Sequence, residues 1–200
     1  MRLNVPVVTG NVCAGKSFCV SIFAEWGYHA IDADHVVALG MRPGGFLYKH
    51  YLAVLGDAVL ADNGHIDRHL VRQRIFSQPK LKAALERSVH PLVFSEIERR
   101  LAAFPPGERV LVAIPLYFEA VLRVDAFPVI LVYCRDTLRM ERLMRRQGVD
   151  RSLAQRIMRS QMPQQLKMWA VDVVIDNSFE KDHTKAQAAL VHQAISQWNM

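Results

Sequence analysis

The chain has 200 residues, 51% of them hydrophobic and 22% charged, a composition that excludes disorder and fibrous repeats and suits one compact core, with or without a small insertion. The formal charge of +6 and the pI near 9.5 favour an anionic partner, whether nucleic acid, a lipid surface or a polyphosphate. Cys13, Cys19 and Cys134 form no C-x-x-C pair, and neither a secretory signal nor an apolar run of ~18 residues is visible, so a soluble protein of the reducing cytoplasm is expected.

Residues 3–9 are short, valine-rich and end at glycine, which predicts a strand. Residues 16–26 carry apolar side chains at helical spacing and stop before Gly27. A second strand over 28–31 ends at the acidic pair Asp32 and Asp34, completing a βαβ unit. Residues 41–101 show helical patterns separated by turn signals at Pro43-Gly44-Gly45, Asn63-Gly64 and Gln78-Pro79. Pro105-Pro106-Gly107 marks the return. The continuous apolar runs 109–116 and 129–134 fit strands buried on both faces of a parallel sheet; a strand over 171–175 and an amphipathic helix over 183–198 close the chain. The expected fold is therefore α/β, a parallel sheet flanked by helices. Its core spans 1–40 and 107–200, with a helical insertion at about 41–103 and an arginine-rich lid at about 139–165.

Gly10-Asn11-Val12-Cys13-Ala14-Gly15-Lys16-Ser17 fits G-x-x-x-x-G-K-[ST] without a gap. Glycines let backbone N–H groups curl around phosphate oxygens, and the following helix aims its positive dipole end at them. Lys16 is then expected at the β- and γ-phosphates and the Ser17 hydroxyl on Mg²⁺. Cys13 lies inside this loop, where alkylation would block ATP; an inert cysteine is an equal alternative.

A kinase also needs a carboxylate near the acceptor hydroxyl. Asp34 is the candidate base, the alternative being a cap for a helix starting near His35. Asp32 is left as a structural or metal-linked residue. If strand geometry continued through them, both aspartates would point the same way. Arg139, Arg142 and Arg146 are spaced i, i+3, i+7, which puts them on one helical face open to solvent or anion, with Met140, Leu143 and Met144 roughly opposite. Gly148 beside them suits the hinge of a mobile lid. His65 and His69 have the spacing of a helical metal pair but lack a third ligand, so surface histidines are expected.

In order, the chain carries the P-loop, Asp32-Ala33-Asp34, Pro43-Gly44, Asp67-Arg68, His90-Pro91, Pro115-Leu116-Tyr117-Phe118-Glu119 and Ile175-Asp176-Asn177. This ordered set, spanning almost the whole chain, resembles the dephospho-coenzyme A kinases, which belong to the P-loop kinases. The resemblance implies ATP and dephospho-CoA as substrates, Mg²⁺ as cofactor and no nucleic-acid or membrane partner. It matches Asp34, Lys16 and Arg146 to catalytic positions, and residues 10–17 with Arg142 to the ATP site. The 41–103 insertion would embrace the CoA moiety, with His90, Pro115 and Glu119 on the acceptor side. Phe18 stands where that family usually has threonine, Gln147 where aspartate follows the lid arginine, and Ala38, Met168 and Ala170 where basic residues are common. The alternatives are a P-loop kinase for another small acceptor, such as a nucleotide, and a catalytically weakened ATP-binding relative. A nucleic-acid-binding module has only the pI in its favour.

Overall fold

The computed structural model describes residues 2–119 and 125–198. The chain divides into two compact units. The first holds the described residues of 1–31, 106–119 and 125–198, and the second holds 32–105.

The first unit is built on a five-stranded sheet. In chain order its strands are β2 (Val7–Thr9), β3 (His29–Asp32), β4 (Val110–Ala113), β6 (Val129–Tyr133) and β7 (Val173–Asp176), arranged β3-β4-β2-β6-β7. The β2–β4, β2–β6 and β6–β7 pairs are parallel, with Val7 opposite both Val112 and Val129 and Val132 opposite Ile175. Every residue of β2 and β4 is buried, as continuous apolar runs require when both faces are covered. A separate pair joins β1 (Arg2–Leu3) to β5 (Asp125–Ala126). The single strand expected over 3–9 is thus two. Pro6 has no N–H for a ladder and contributes only its carbonyl, which accepts the Val112 N–H at 2.9 Å.

Helices α1 (Lys16–Glu25) and α9 (Lys181–Trp198) pack together against the sheet. Cys19, Ile22 and Phe23 of α1 and Ala188, Val191 and Ile195 of α9 join Val8, Leu111, Ile130, Val132 and Ile175 in one core. After β6 come α6 (Asp136–Gln147), α7 (Arg151–Arg159) and the short α8 (Gln164–Met168). Gly148 ends α6 at φ 64. Asp150 caps α7 by accepting the Leu153 N–H at 2.7 Å.

The second unit is helical: α2 (Ala33–Gly40), α3 (Tyr48–Leu55), a 3₁₀ turn (Asp57–Val59), α4 (Arg68–Ser77) and α5 (Pro79–Ala102). The long α5 is the element on which α2, α3 and α4 all pack, through a core that includes Val36, Tyr51, Leu55, Val71, Leu85, Val89 and Ile97. Asp67 starts α4 by accepting the His69 N–H at 2.7 Å, and Pro79 opens α5 at a position where no N–H is needed. His65 sits in the turn before α4 and only His69 is helical, so the two histidines do not form an i, i+4 face.

Candidate active site

The phosphate-binding loop leaves the end of β2 and enters α1. Its glycines are demanded by close approach. A Cβ at Gly10 would come within 2.7 Å of the Val132 carbonyl oxygen, and Gly15, at φ 99, would drive one into the Asn177 amide. Cys13 holds φ 60 without being glycine, a left-handed backbone costing roughly 1–2 kcal/mol that its surroundings must offset.

Those surroundings are a set of donors behind the loop. Arg139 Nε donates to the Val12 carbonyl at 3.0 Å, Arg142 Nη1 to the Cys13 carbonyl at 3.4 Å, and Asn177 Nδ2 to the Ala14 carbonyl at 2.8 Å. In a trans peptide the N–H points away from the carbonyl that precedes it. Fastening three successive carbonyls from behind therefore turns the Cys13 and Gly15 N–H groups to the other side. The Ala14 N–H closes a turn on the Asn11 carbonyl at 3.0 Å. The loop is thus fixed as a concave donor surface, continued by the first turn of α1, which suits a polyphosphate.

Each donor is itself held. Asn177 accepts from Thr184 Oγ1 at 3.0 Å, while its carbonyl takes Arg142 Nη2 at 3.2 Å. Arg139 is 3% exposed and pairs with Asp136 at 2.8 Å. This corrects the expectation that Arg139 shares an open face with Arg142 and Arg146. Arg139 lies on the packed side with Leu143, because the Val12 carbonyl and the Asp136 carboxylate supply its acceptors. Arg142 is half-buried and Arg146 is exposed in the last turn of α6. Burial raises the thiols of Cys19, to about 12, and of Cys134, the latter against the opposing charge of Arg142.

A second support reaches the loop from the segment before α8. Gln161 Oε1 accepts the Val12 N–H at 2.9 Å, and the Met162 carbonyl accepts Asn11 Nδ2 at 2.9 Å. Met162 in turn donates its N–H to Glu119 Oε1 at 3.0 Å, and the same oxygen takes Lys167 Nζ at 2.7 Å. The Lys167 side chain is 0% exposed; burial pushes its ammonium below the usual lysine range and Glu119 pulls it back. Removing one partner of such a pair costs about 3–5 kcal/mol. Glu119, expected on the acceptor side, holds Met162 and Lys167 through Oε1, and its Oε2 is buried with no partner among the described residues.

Other expected residues lie as follows. Lys16 and Ser17 open α1, with Ser17 exposed. An exposed hydroxyl at the phosphate loop fits Mg²⁺, which takes few protein oxygens and completes its shell with phosphate and water. Among the described residues no group of three or more His, Cys, Asp or Glu forms a metal cage. Pro115 follows β4, and its carbonyl accepts Thr9 Oγ1 at 3.3 Å. In the helical unit, Asp34 is exposed in the first turn of α2. The helix cap is Asp32, which accepts the Asp34 N–H at 2.8 Å. The strand stops at Asp32, so strand alternation does not extend to Asp34. His90 lies within α5 before Pro91; burial lowers its pKa, Glu86 opposing, and Nδ1 is buried without a partner among the described residues.

A parallel sheet carrying an anchored G-x-x-x-x-G-K-S loop between strand and helix defines a P-loop kinase fold. The dephospho-CoA kinase family model matches residues 5–182, and the chain belongs to that family. A dephospho-CoA kinase of Chromobacterium violaceum is 34% identical over 183 residues, 88% of this chain and 87% of that one. Among solved structures, a Thermus thermophilus protein matches at TM-score 0.81 and 26% identity over 97% of this chain and 98% of its own. The dephospho-CoA kinase of Campylobacter jejuni matches at TM-score 0.68 and 26% identity over the full length of both.

Proposed function

We propose that this chain transfers the γ-phosphoryl group of ATP to the ribose 3′-hydroxyl of dephospho-CoA, the final step of coenzyme A biosynthesis. The observation that carries the reading is the phosphate loop with Val12, Cys13 and Ala14 carbonyls all fastened from behind, in a chain of this family. Such a loop presents fixed N–H dipoles to charge that spreads over phosphoryl oxygens in the transition state, without reorganisation at the moment of transfer.

In this reading Gly10, Asn11, Val12, Cys13, Ala14, Gly15, Lys16 and Ser17 hold the triphosphate, with Lys16 at the β- and γ-phosphates. Bound Mg²⁺, held by Ser17, supplies charge neutralisation and alignment of the phosphoryl oxygens. Asp34, exposed in the first turn of α2, takes the proton of the acceptor hydroxyl. Arg142 serves the ATP site through the loop it braces, and Arg146, on the exposed end of α6 beside the Gly148 hinge, reaches the transferring phosphoryl group. His90 and Pro115 serve the acceptor side, and the helical insertion receives the CoA moiety. Three free cysteines suit a reducing cytoplasm. The test is the position of the new phosphate. ³¹P NMR of the product from ATP, Mg²⁺ and dephospho-CoA is expected to show a 3′-phosphomonoester, and a phosphate elsewhere, or none, refutes the assignment.

A further inference from the structure

The bonds of Glu119 lead towards the phosphate loop. Its Oε1 takes the Met162 N–H at 3.0 Å and Lys167 Nζ at 2.7 Å. The carbonyl of the same residue, Met162, holds Asn11 at 2.9 Å, and the neighbouring Gln161 holds the Val12 N–H at 2.9 Å. Lys167, 0% exposed against 19% for Glu119, also lies 5.8 Å from the centroid of the Phe118 ring, so the ammonium end of the pair sits in a packed, low-dielectric setting that enforces its geometry. We propose that Glu119 is a positioning residue for the phosphate loop: charged against Lys167, it pins the Met162 peptide, and through Met162 and Gln161 it fixes Asn11 and Val12.

The alternative, implied by family resemblance, is that Glu119 contacts the acceptor. The two make opposite predictions about which ligand suffers. A strut acts on ATP, whose phosphates lie in the loop that it steadies. An acceptor ligand acts on dephospho-CoA. The proposal rests on the loop binding ATP, so ATP binding is measured directly, without acceptor, beside a reading of the loop that needs no nucleotide.

Two double variants separate positioning from mere stability. Glu119→Gln with Lys167→Met removes both charges but keeps an oxygen to accept the Met162 N–H. Glu119→Leu with Lys167→Met also removes both charges, and leaves that N–H without an acceptor. Replacing both members of a buried pair avoids an uncompensated charge, so both proteins are expected to fold. The measurements are thermal melting, the ATP dissociation constant by titration calorimetry, amide hydrogen exchange over residues 10–15, and the dephospho-CoA KM at saturating ATP. The Gln/Met protein is expected to bind ATP within about threefold of the parent. The Leu/Met protein is expected to bind it about tenfold more weakly, the scale of one hydrogen bond, with faster exchange over 10–15 and an unchanged dephospho-CoA KM. Equal ATP affinity and equal loop exchange in the two doubles overturn the strut, as does a selective rise in dephospho-CoA KM. If the parent binds no ATP, the kinase reading fails, while the exchange comparison still decides whether Glu119 steadies the loop.

Discussion

Replacing Gly15 by alanine tests the geometry of the phosphate loop at its tightest point. Gly15 holds φ 99 and ψ 22, where an L-residue pays roughly 1–2 kcal/mol. The new Cβ would also run into Asn177 Nδ2, with Asn177 Cγ 3.0 Å away. Relief requires moving an amide that donates to Ala14 and accepts from Thr184 at 2.8 and 3.0 Å. Leaving those buried groups unpaired costs a further 1–3 kcal/mol, by order of magnitude. The total is about 2–5 kcal/mol, or a Tm drop of about 4–20 °C for a chain of this size. In an Asn177→Ala background the collision is gone and only the backbone penalty remains. Gly15→Ala should then cost about 1–2 kcal/mol, a coupling of about 1–3 kcal/mol between the sites. Urea unfolding of the two single variants and the double measures this cycle. Strict additivity, or a Gly15→Ala protein that melts like the parent, would refute the contact between loop and Asn177.

Lys16→Ala and Asp34→Ala are each expected to lower kcat by at least ~10²-fold, the scale of lost phosphate stabilisation or general-base action; a near-normal rate in Asp34→Ala reassigns the base. Iodoacetamide is expected to label Cys13, the half-buried thiol, ahead of the buried Cys19 and Cys134, and ATP should protect it; peptide mapping with and without nucleotide checks both points, and a labelled protein with undiminished ATP binding contradicts the placement of Cys13 in the site. His90 and His192 both have pKa values lowered from 6.5 by burial. The unfolded chain therefore binds more protons than the folded one between the depressed values and 6.5, so stability is complete above 6.5 and is lost as pH falls through that window. His192→Phe keeps a ring against Trp26, 5.2 Å away in the native stack, and should flatten the acid limb of a Tm–pH curve; an unchanged slope contradicts the assignment.

The parts of the fold that were legible in the sequence are those whose cause is local. The P-loop lies between a strand and a helix as its motif demands, the apolar runs 109–116 and 129–134 hold the strands β4 and β6, and the helical unit is punctuated by its glycines, prolines and capping aspartates. Single-strand expectations failed where one residue broke the ladder, at Pro6. The supports of the site were hidden for a different reason. Gln161 meets Val12 across 149 residues and Lys167 meets Glu119 across 48, and no nearby pattern marks either. Arg139 was misplaced because helical periodicity ranks a guanidinium as polar, hence outward. The Val12 carbonyl, more than a hundred residues earlier, draws it inward, which only tertiary structure reveals. Asn177 was visible as part of Ile175-Asp176-Asn177, yet its task of filling the space left by Gly15 was not.

The most direct test of dephospho-CoA kinase activity is ADP release by the purified protein from ATP and Mg²⁺, with dephospho-CoA, AMP or adenosine as acceptor. Turnover is expected with dephospho-CoA and only background release with the other two. Turnover with AMP or adenosine, or ATP binding without dephospho-CoA-dependent release, would contradict it.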